Sequence, residues 1–197
     1  MNDAAPHLVA IGASGADGVR DIIDLLRALR KQPAAVIMVV LHRPSDKISY
    51  LRDVLAQNCD IPIVIAAEFE QLTPGTCYIG EPDGHLMLLD RNLAHLVPGA
   101  GHRLRNRSVD TLFNSLAEHA GPRTIGIVLS GALDDGSRGL AAIRAAGGVA
   151  MVLEPGSKPR GMQLNAIDYN NPVDFIGTTQ EIADRIRQVI ANANRRS

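Results

Sequence analysis

The chain has 197 residues, a length that suits one domain and lets about 70% of the unfolded surface be buried. Its residues are 46% apolar but only 3% aromatic, with no Trp, so Ala, Val, Ile and Leu must build the interior, as in parallel sheets covered by helices. Twenty Lys and Arg stand against 21 Asp and Glu, a net charge of −1 that gives no support to nucleic-acid binding or to electrostatic attachment to a membrane.

Cys59 and Cys77 cannot make a metal site between them and follow no C-x-x-C spacing, which leaves them as reduced core thiols. The N-terminus, MNDAAPHLVAIGAS, lacks the basic region of a signal peptide. Nowhere do 18 apolar residues run together, so no membrane insertion is expected, and the default location is the cytoplasm.

HLVAIGAS (7–14) reads as a buried strand ending in a Gly/Ser turn. A helix follows over 17–31, with Val19, Ile22, Ile23, Leu26 and Leu29 on one face. AAVIMVVLH (34–42) is a second apolar strand, 45–58 a helix with Ser45 or Asp46 as cap, and IPIVIA (61–66) a third strand. TCYIG, HLMLLD and LAHLV, separated by turn dipeptides, read as an antiparallel meander. Helical periodicity returns over 108–121, with Ser108 as N-cap and Gly121 just past the C-terminus. Strands at 124–131 and 149–154 flank a helix at 137–148, and a helix capped at Thr178 or Thr179 closes the chain. The expected fold is a single α/β domain: a doubly wound, mostly parallel, three-layer sheet with a β-meander insertion.

Open α/β sheets bind ligands outside the carboxyl ends of their strands. Ser14 follows the first strand, His42 the second, Asp134 and Asp135 the strand at 124, and Glu154 the one after it. Taken singly, each has an ordinary reading as a cap or turn residue. Together at one sheet edge, a serine, a histidine and a carboxylate are the parts of an acyl-transfer triad. Ser14 needs a base to become a nucleophile, and histidine is the side-chain type suited to that role, which makes His42 the candidate. A helix start just after Ser14 suits a developing oxyanion.

IGASGADG, VVLHRPS, GHRLRNRSVDTLF, IGIVLSGALDDGSRGL and PRGMQLNAI, in this order, resemble the catalytic domain of the chemotaxis receptor methylesterase family, CheB, over roughly residues 7–191. The resemblance implies Ser14 as nucleophile, His42 as base and Asp135, rather than Asp134, as the third member. It also implies hydrolysis of γ-glutamyl methyl esters on the cytoplasmic helices of methyl-accepting chemoreceptors, often with deamidation of receptor glutamines, and no metal or organic cofactor. The backbone N–H groups of Gly15 and Ala132 are the expected oxyanion donors, and Arg43, Arg103 and Glu154 the expected substrate rim. Arg103, Arg105 and Arg107 with His102 either hold acidic receptor side chains or form a solvated ion-pair network.

The sequence departs from the family pattern in four ways. Gly15 replaces the usual Thr after the nucleophile, and Gly131-Ala132-Leu133 replaces G-M-G. Leu41 and Arg43 flank the histidine. Six residues precede the first strand, so a receiver domain is not expected and any control falls to a separate regulator. Two other readings compete. A receptor-binding scaffold would keep the triad but lose turnover through Gly15 and Leu133. A nucleotide-binding module would use the G-x-x-G-x-x-G pattern of Gly12, Gly15 and Gly18, although Asp17 faces any phosphate unfavourably. His7, His85, His95 and His119 show no metal-ligand spacing.

Overall fold

The computed structural model describes residues 5–30, 34–42, 49–82, 84–98, 107–132, 134–156, 161–169 and 173–195. In chain order, the first half comprises β1 (His7–Ser14), α1 (Gly15–Leu29), β2 (Ala35–His42), α2 (Leu51–Asn58), β3 (Ile63–Ile65), β4 (Cys77–Ile79), β5 (Gly84–Leu89) and β6 (Leu93–Pro98). The second half comprises α3 (Ser108–His119), β7 (Thr124–Val128), α4 (Ser137–Ala145), β8 (Val149–Leu153), α5 (Met162–Asp168), β9 (Phe175–Gly177) and α6 (Thr179–Asn194).

Seven strands form one parallel sheet in the order β3-β4-β2-β1-β7-β8-β9. The alternation along β1 shows why helices cover both faces. Val9, Ile11 and Ala13 pack in one cluster with Ile22, Leu25 and Leu26 of α1 and Ile182, Ile186 and Ile190 of α6. Leu8 and Ala10 point the other way, into a cluster with Val109, Leu112 and Phe113 of α3 and Leu140 and Ile143 of α4. The result is the expected three-layer α/β fold. The chain leaves β1 toward β2 on one side while β7 flanks it on the other, so a crevice opens at the carboxyl end of β1.

The antiparallel insertion is smaller than the pattern suggests. Among the described residues it consists of the β5–β6 hairpin, with one isolated antiparallel bridge between Gln71 and Leu93. TCYIG contributes β4, which pairs in parallel with both β2 and β3. Three buried apolar residues fit either sheet type, and the choice is made by the partner strands. Two short elements, α5 and β9, carry too few periodic residues to stand out in the sequence.

The caps differ as well. Gly121 has the left-handed φ of 53° expected just past α3. Ser108 lies inside α3 and caps nothing. The free N–H groups of that first turn belong instead to Asp135, a residue distant in sequence. At α6, Thr178 is the cap: its side chain and that of Glu181 satisfy each other's backbone N–H groups in a capping box.

Candidate active site

Ser14 and His42 end neighbouring strands as register partners, so their Cα atoms are about 4.8 Å apart, the spacing of adjacent strands. Both continue the even-numbered series of their strands, which faces α3 and α4. On that face, His42 Nε2 lies 2.5 Å from Asp135 Oδ2. The imidazole is 17% exposed and the carboxylate 2%, so the pair is largely shielded from water. Asp135 also accepts hydrogen bonds from the backbone N–H groups of Val109 at 2.9 Å and Asp110 at 2.8 Å. Those N–H groups open α3, whose dipole favours a negative charge there. Asp134, its neighbour, is exposed.

The segment after β7 folds against Ser14. The Ser14 N–H donates to the carbonyl of Ser130 at 3.0 Å, and the Met162 N–H to that of Gly131 at 2.9 Å. Gly131 allows the close approach: a Cβ there would sit 2.7 Å from Ser14 Cβ and 2.3 Å from Met162 Sδ. Gly15, with φ of 72°, occupies the left-handed region that favours glycine, and no atom lies within 4 Å of where its Cβ would point. Ser14, Gly15, Gly131, Ala132, Gly161 and Gln163 line an open cleft of about 620 Å³.

The family model described as CheB methylesterase matches residues 9–186. The chain belongs to the CheB methylesterase family. A curated relative from Cereibacter sphaeroides, the protein-glutamate methylesterase/protein-glutamine glutaminase of group 3 operon, is 36% identical over 145 residues, 71% of this chain and 38% of its own length. A putative protein-glutamate methylesterase/protein-glutamine glutaminase from Leptospira interrogans is 27% identical over 176 residues, 89% of this chain and 91% of that one. The Thermotoga maritima CheB methylesterase catalytic domain matches in fold with a TM-score of 0.79 at 24% identity, over 95% of this chain and 99% of that one. The chain thus corresponds to a CheB catalytic domain, and spans only about two-fifths of the first curated relatives it matches.

The structure sets His42 against Asp135 and makes Ser14 the register partner of His42, while Ser14, Gly15 and Ala132 line the cleft and His42 and Asp135 are not among its lining residues. Glu154 is exposed and its N–H bonds the Gly177 carbonyl; the next residues, Pro155 and Gly156, line the cleft in its place. Arg43, Arg103, Arg105, His102 and Leu133 lie outside the described residues. Arg107 pairs with Asp110 at 3.5 Å.

The sequence assigns no role to several cleft residues. Asp17 and Arg20 pair at 3.4 Å on the first turns of α1. Asp21 accepts from the Ser130 N–H at 3.1 Å, and Gln163 donates to Ser130 Oγ at 3.2 Å. Asp17 and Gln163 fall within the family-like segments IGASGADG and PRGMQLNAI, whereas Arg20 and Asp21 are marked only by lying on the helix that follows β1. Asp110, buried beside Asp135, has its carboxyl raised above the usual range, chiefly by burial and also by the Asp135 charge, against the bonds it accepts from Gly139 and Gly136. Among the described residues, no group of three or more His, Cys, Asp or Glu could hold a metal ion, and no helix is long and apolar enough to cross a membrane.

The glycines proposed for a phosphate cradle are used in packing. A Cβ on Gly12 would fall 2.2 Å from Val109 Cγ1, and one on Gly18 2.9 Å from the Ser130 carbonyl oxygen. Asp17 and Asp21 line the same cleft and would repel a phosphate.

Proposed function

We propose that this chain is a protein-glutamate methylesterase domain. It hydrolyses γ-glutamyl methyl esters on the cytoplasmic helices of chemoreceptors and, by the same route, glutamine amides. One observation carries the reading: His42 is held 2.5 Å from a buried carboxylate on the sheet edge where its register partner is Ser14. The names of the relatives support the substrate class.

The imidazole nitrogen against Asp135 is Nε2, the far end of the ring. Nδ1, next to the strand, is then the base for Ser14 on the adjacent strand. As Ser14 Oγ attacks the ester carbonyl, its proton passes to His42, and the imidazolium is stabilised by Asp135. The oxyanion is held by the N–H groups of Gly15 and Ala132. Methanol departs with the His42 proton, or ammonia in the case of an amide, leaving a glutamyl-serine ester. Water, deprotonated by His42, then attacks that ester; His42 returns the proton to the departing Ser14 Oγ, and the glutamic acid released ionises to its carboxylate. These steps call on these side chains, the two backbone donors and water alone, and the one net proton set free by ester hydrolysis passes to solvent, or to ammonia in the case of an amide. The whole sequence, 1–197, acts as one such domain in the cytoplasm, where the receptor helices lie.

The test is methanol release from methylated receptor fragments by wild type and by Ser14→Ala. Ser14 makes no side-chain cap bond to α1, so its loss should leave the fold intact. Release by wild type alone is the expected result. Release by neither, with fragments still bound, would favour the scaffold reading.

A further inference from the structure

The carboxylate that serves His42 sits in a turn with a second buried carboxylate behind it. Asp110, in the first turn of α3, is 4% exposed. Asp135 Oδ1 accepts from the Asp110 N–H. In return, Asp110 Oδ1 accepts from the N–H groups of Gly136 at 3.0 Å and Gly139 at 2.8 Å, where α4 begins. Neither helix has a side-chain cap from its own N-cap residue. Each is closed by a carboxylate from the other, a reciprocal exchange that satisfies four otherwise free N–H groups. The helices meet closely here: a Cβ on Gly139 would lie 2.4 Å from Phe113 Cβ and 3.1 Å from Asp110 Cα.

We infer that Asp110 is a positioning residue for the Asp135–His42 pair. By holding the Gly136 and Gly139 N–H groups it fixes the turn that carries Asp135, so that one Asp135 oxygen stays on α3 while the other reaches His42. The inference rests on the roles of His42 and Asp135 proposed above. Gly136 is in the left-handed region, at φ of 98°, and Asp134 on the other side of Asp135 is exposed. Without Asp110, two buried N–H groups lose their acceptor, and the turn can satisfy them only by moving toward water. That movement takes Asp135 Oδ2 away from the imidazole. Arg107, 3.5 Å from Asp110 Oδ2, supplies the counter-charge.

The test compares wild type, Asp110→Ala, Asp110→Asn and Ser14→Ala. It measures kcat and KM for methanol release per folded molecule, and the far-downfield proton NMR signal of the His42 N–H bound to Asp135. Asp110→Ala should lower kcat on the order of 10²-fold, the cost of a small misplacement of a catalytic group, with KM little changed and the His42 signal lost. Asp110→Asn keeps an oxygen for both glycine N–H groups and should restore most of the rate and the signal. Should the Ala variant not fold, Asp110→Ser carries the same expectation, since its short side chain cannot span both N–H groups. A folded Ala or Ser variant with wild-type kcat and an unmoved His42 signal overturns the inference, as does an Asn variant as impaired as the Ala one. Undiminished methanol release by Ser14→Ala would instead sink the proposed function, leaving the NMR signal to decide the place of Asp110.

Discussion

His42 and Asp135 are 93 positions apart in the chain, yet Nε2 of one lies 2.5 Å from Oδ2 of the other. The contact joins the end of β2 to the start of α3, because the same carboxylate holds the N–H groups of Val109 and Asp110. The placement of the His42 ring and the capping of α3 therefore depend on one side chain.

That dual role makes Asp135→Asn informative. Turnover should fall by up to about 10⁴-fold through loss of the correct imidazole tautomer, as in other triads. The amide has one acceptor oxygen for three donors, so one backbone N–H is left unsatisfied, at about 1–3 kcal/mol of stability. Asp134→Asn, at an exposed position, should change neither value. Steady-state kinetics and denaturant unfolding of both variants check this, and an equal rate loss in Asp134→Asn would assign the wrong carboxylate.

Gly131→Ala should separate activity from stability. Its added Cβ meets the flexible end of Met162 at 2.3 Å and Ser14 Cβ at 2.7 Å. Met162 can move aside, but Ser14 is fixed by its N–H bond to Ser130. Overpacking of this kind costs about 1–3 kcal/mol, whereas displacing the nucleophile should lower kcat by about tenfold or more. A variant with lowered melting temperature and unchanged kcat would show that Met162 alone takes up the strain and Ser14 stays in place, and one with both unchanged would contradict the close packing itself.

The capping box of α6 gives a prediction remote from the site. Thr178→Ala should cost about 1 kcal/mol. Glu181 accepts from the Thr178 N–H at 2.9 Å and from its hydroxyl, and the backbone bond holds its carboxyl below the usual range. A folded-state value below the unfolded one means stability that is present above the unfolded pKa and lost as pH falls through the folded one. Unfolding free energies measured from neutral to acidic pH should thus decline less steeply in Glu181→Gln than in wild type. An identical slope would show that the carboxylate adds nothing beyond its acceptor geometry.

The two thiols should be inert in the native protein. Cys77 is fully buried in β4 and Cys59 half-buried, and burial raises both thiols above their ordinary range. The reactive thiolate is accordingly scarce at neutral pH. Ellman's reagent should label neither quickly in the folded chain and both after denaturation; rapid native labelling of Cys77 would contradict its place in the sheet.

Much of this molecule is legible in local sequence. The apolar run at 7–14 and the 3.6-residue pattern after it define β1 and α1 through contacts between near neighbours and one common core. Thr178 and Glu181, three apart, announce their cap for the same reason. Ser14 and His42 could be placed at strand ends because the strands end where the apolar runs do. Tertiary structure decided the rest. The crevice at the carboxyl end of β1 depends on strand order, and the short run at Cys77–Ile79 fits either kind of sheet until β2 and β3 flank it. The resemblance already points to Asp135 rather than Asp134, but the physical reason lies in the packing of α3 on α4, which buries Asp135 and leaves Asp134 exposed. Asp110 was hidden because its partners are the N–H groups of Gly136 and Gly139. Every residue but proline carries such a group, so a sequence holds no mark of where one will be left unpaired, and only the packed helices bring the carboxylate to it.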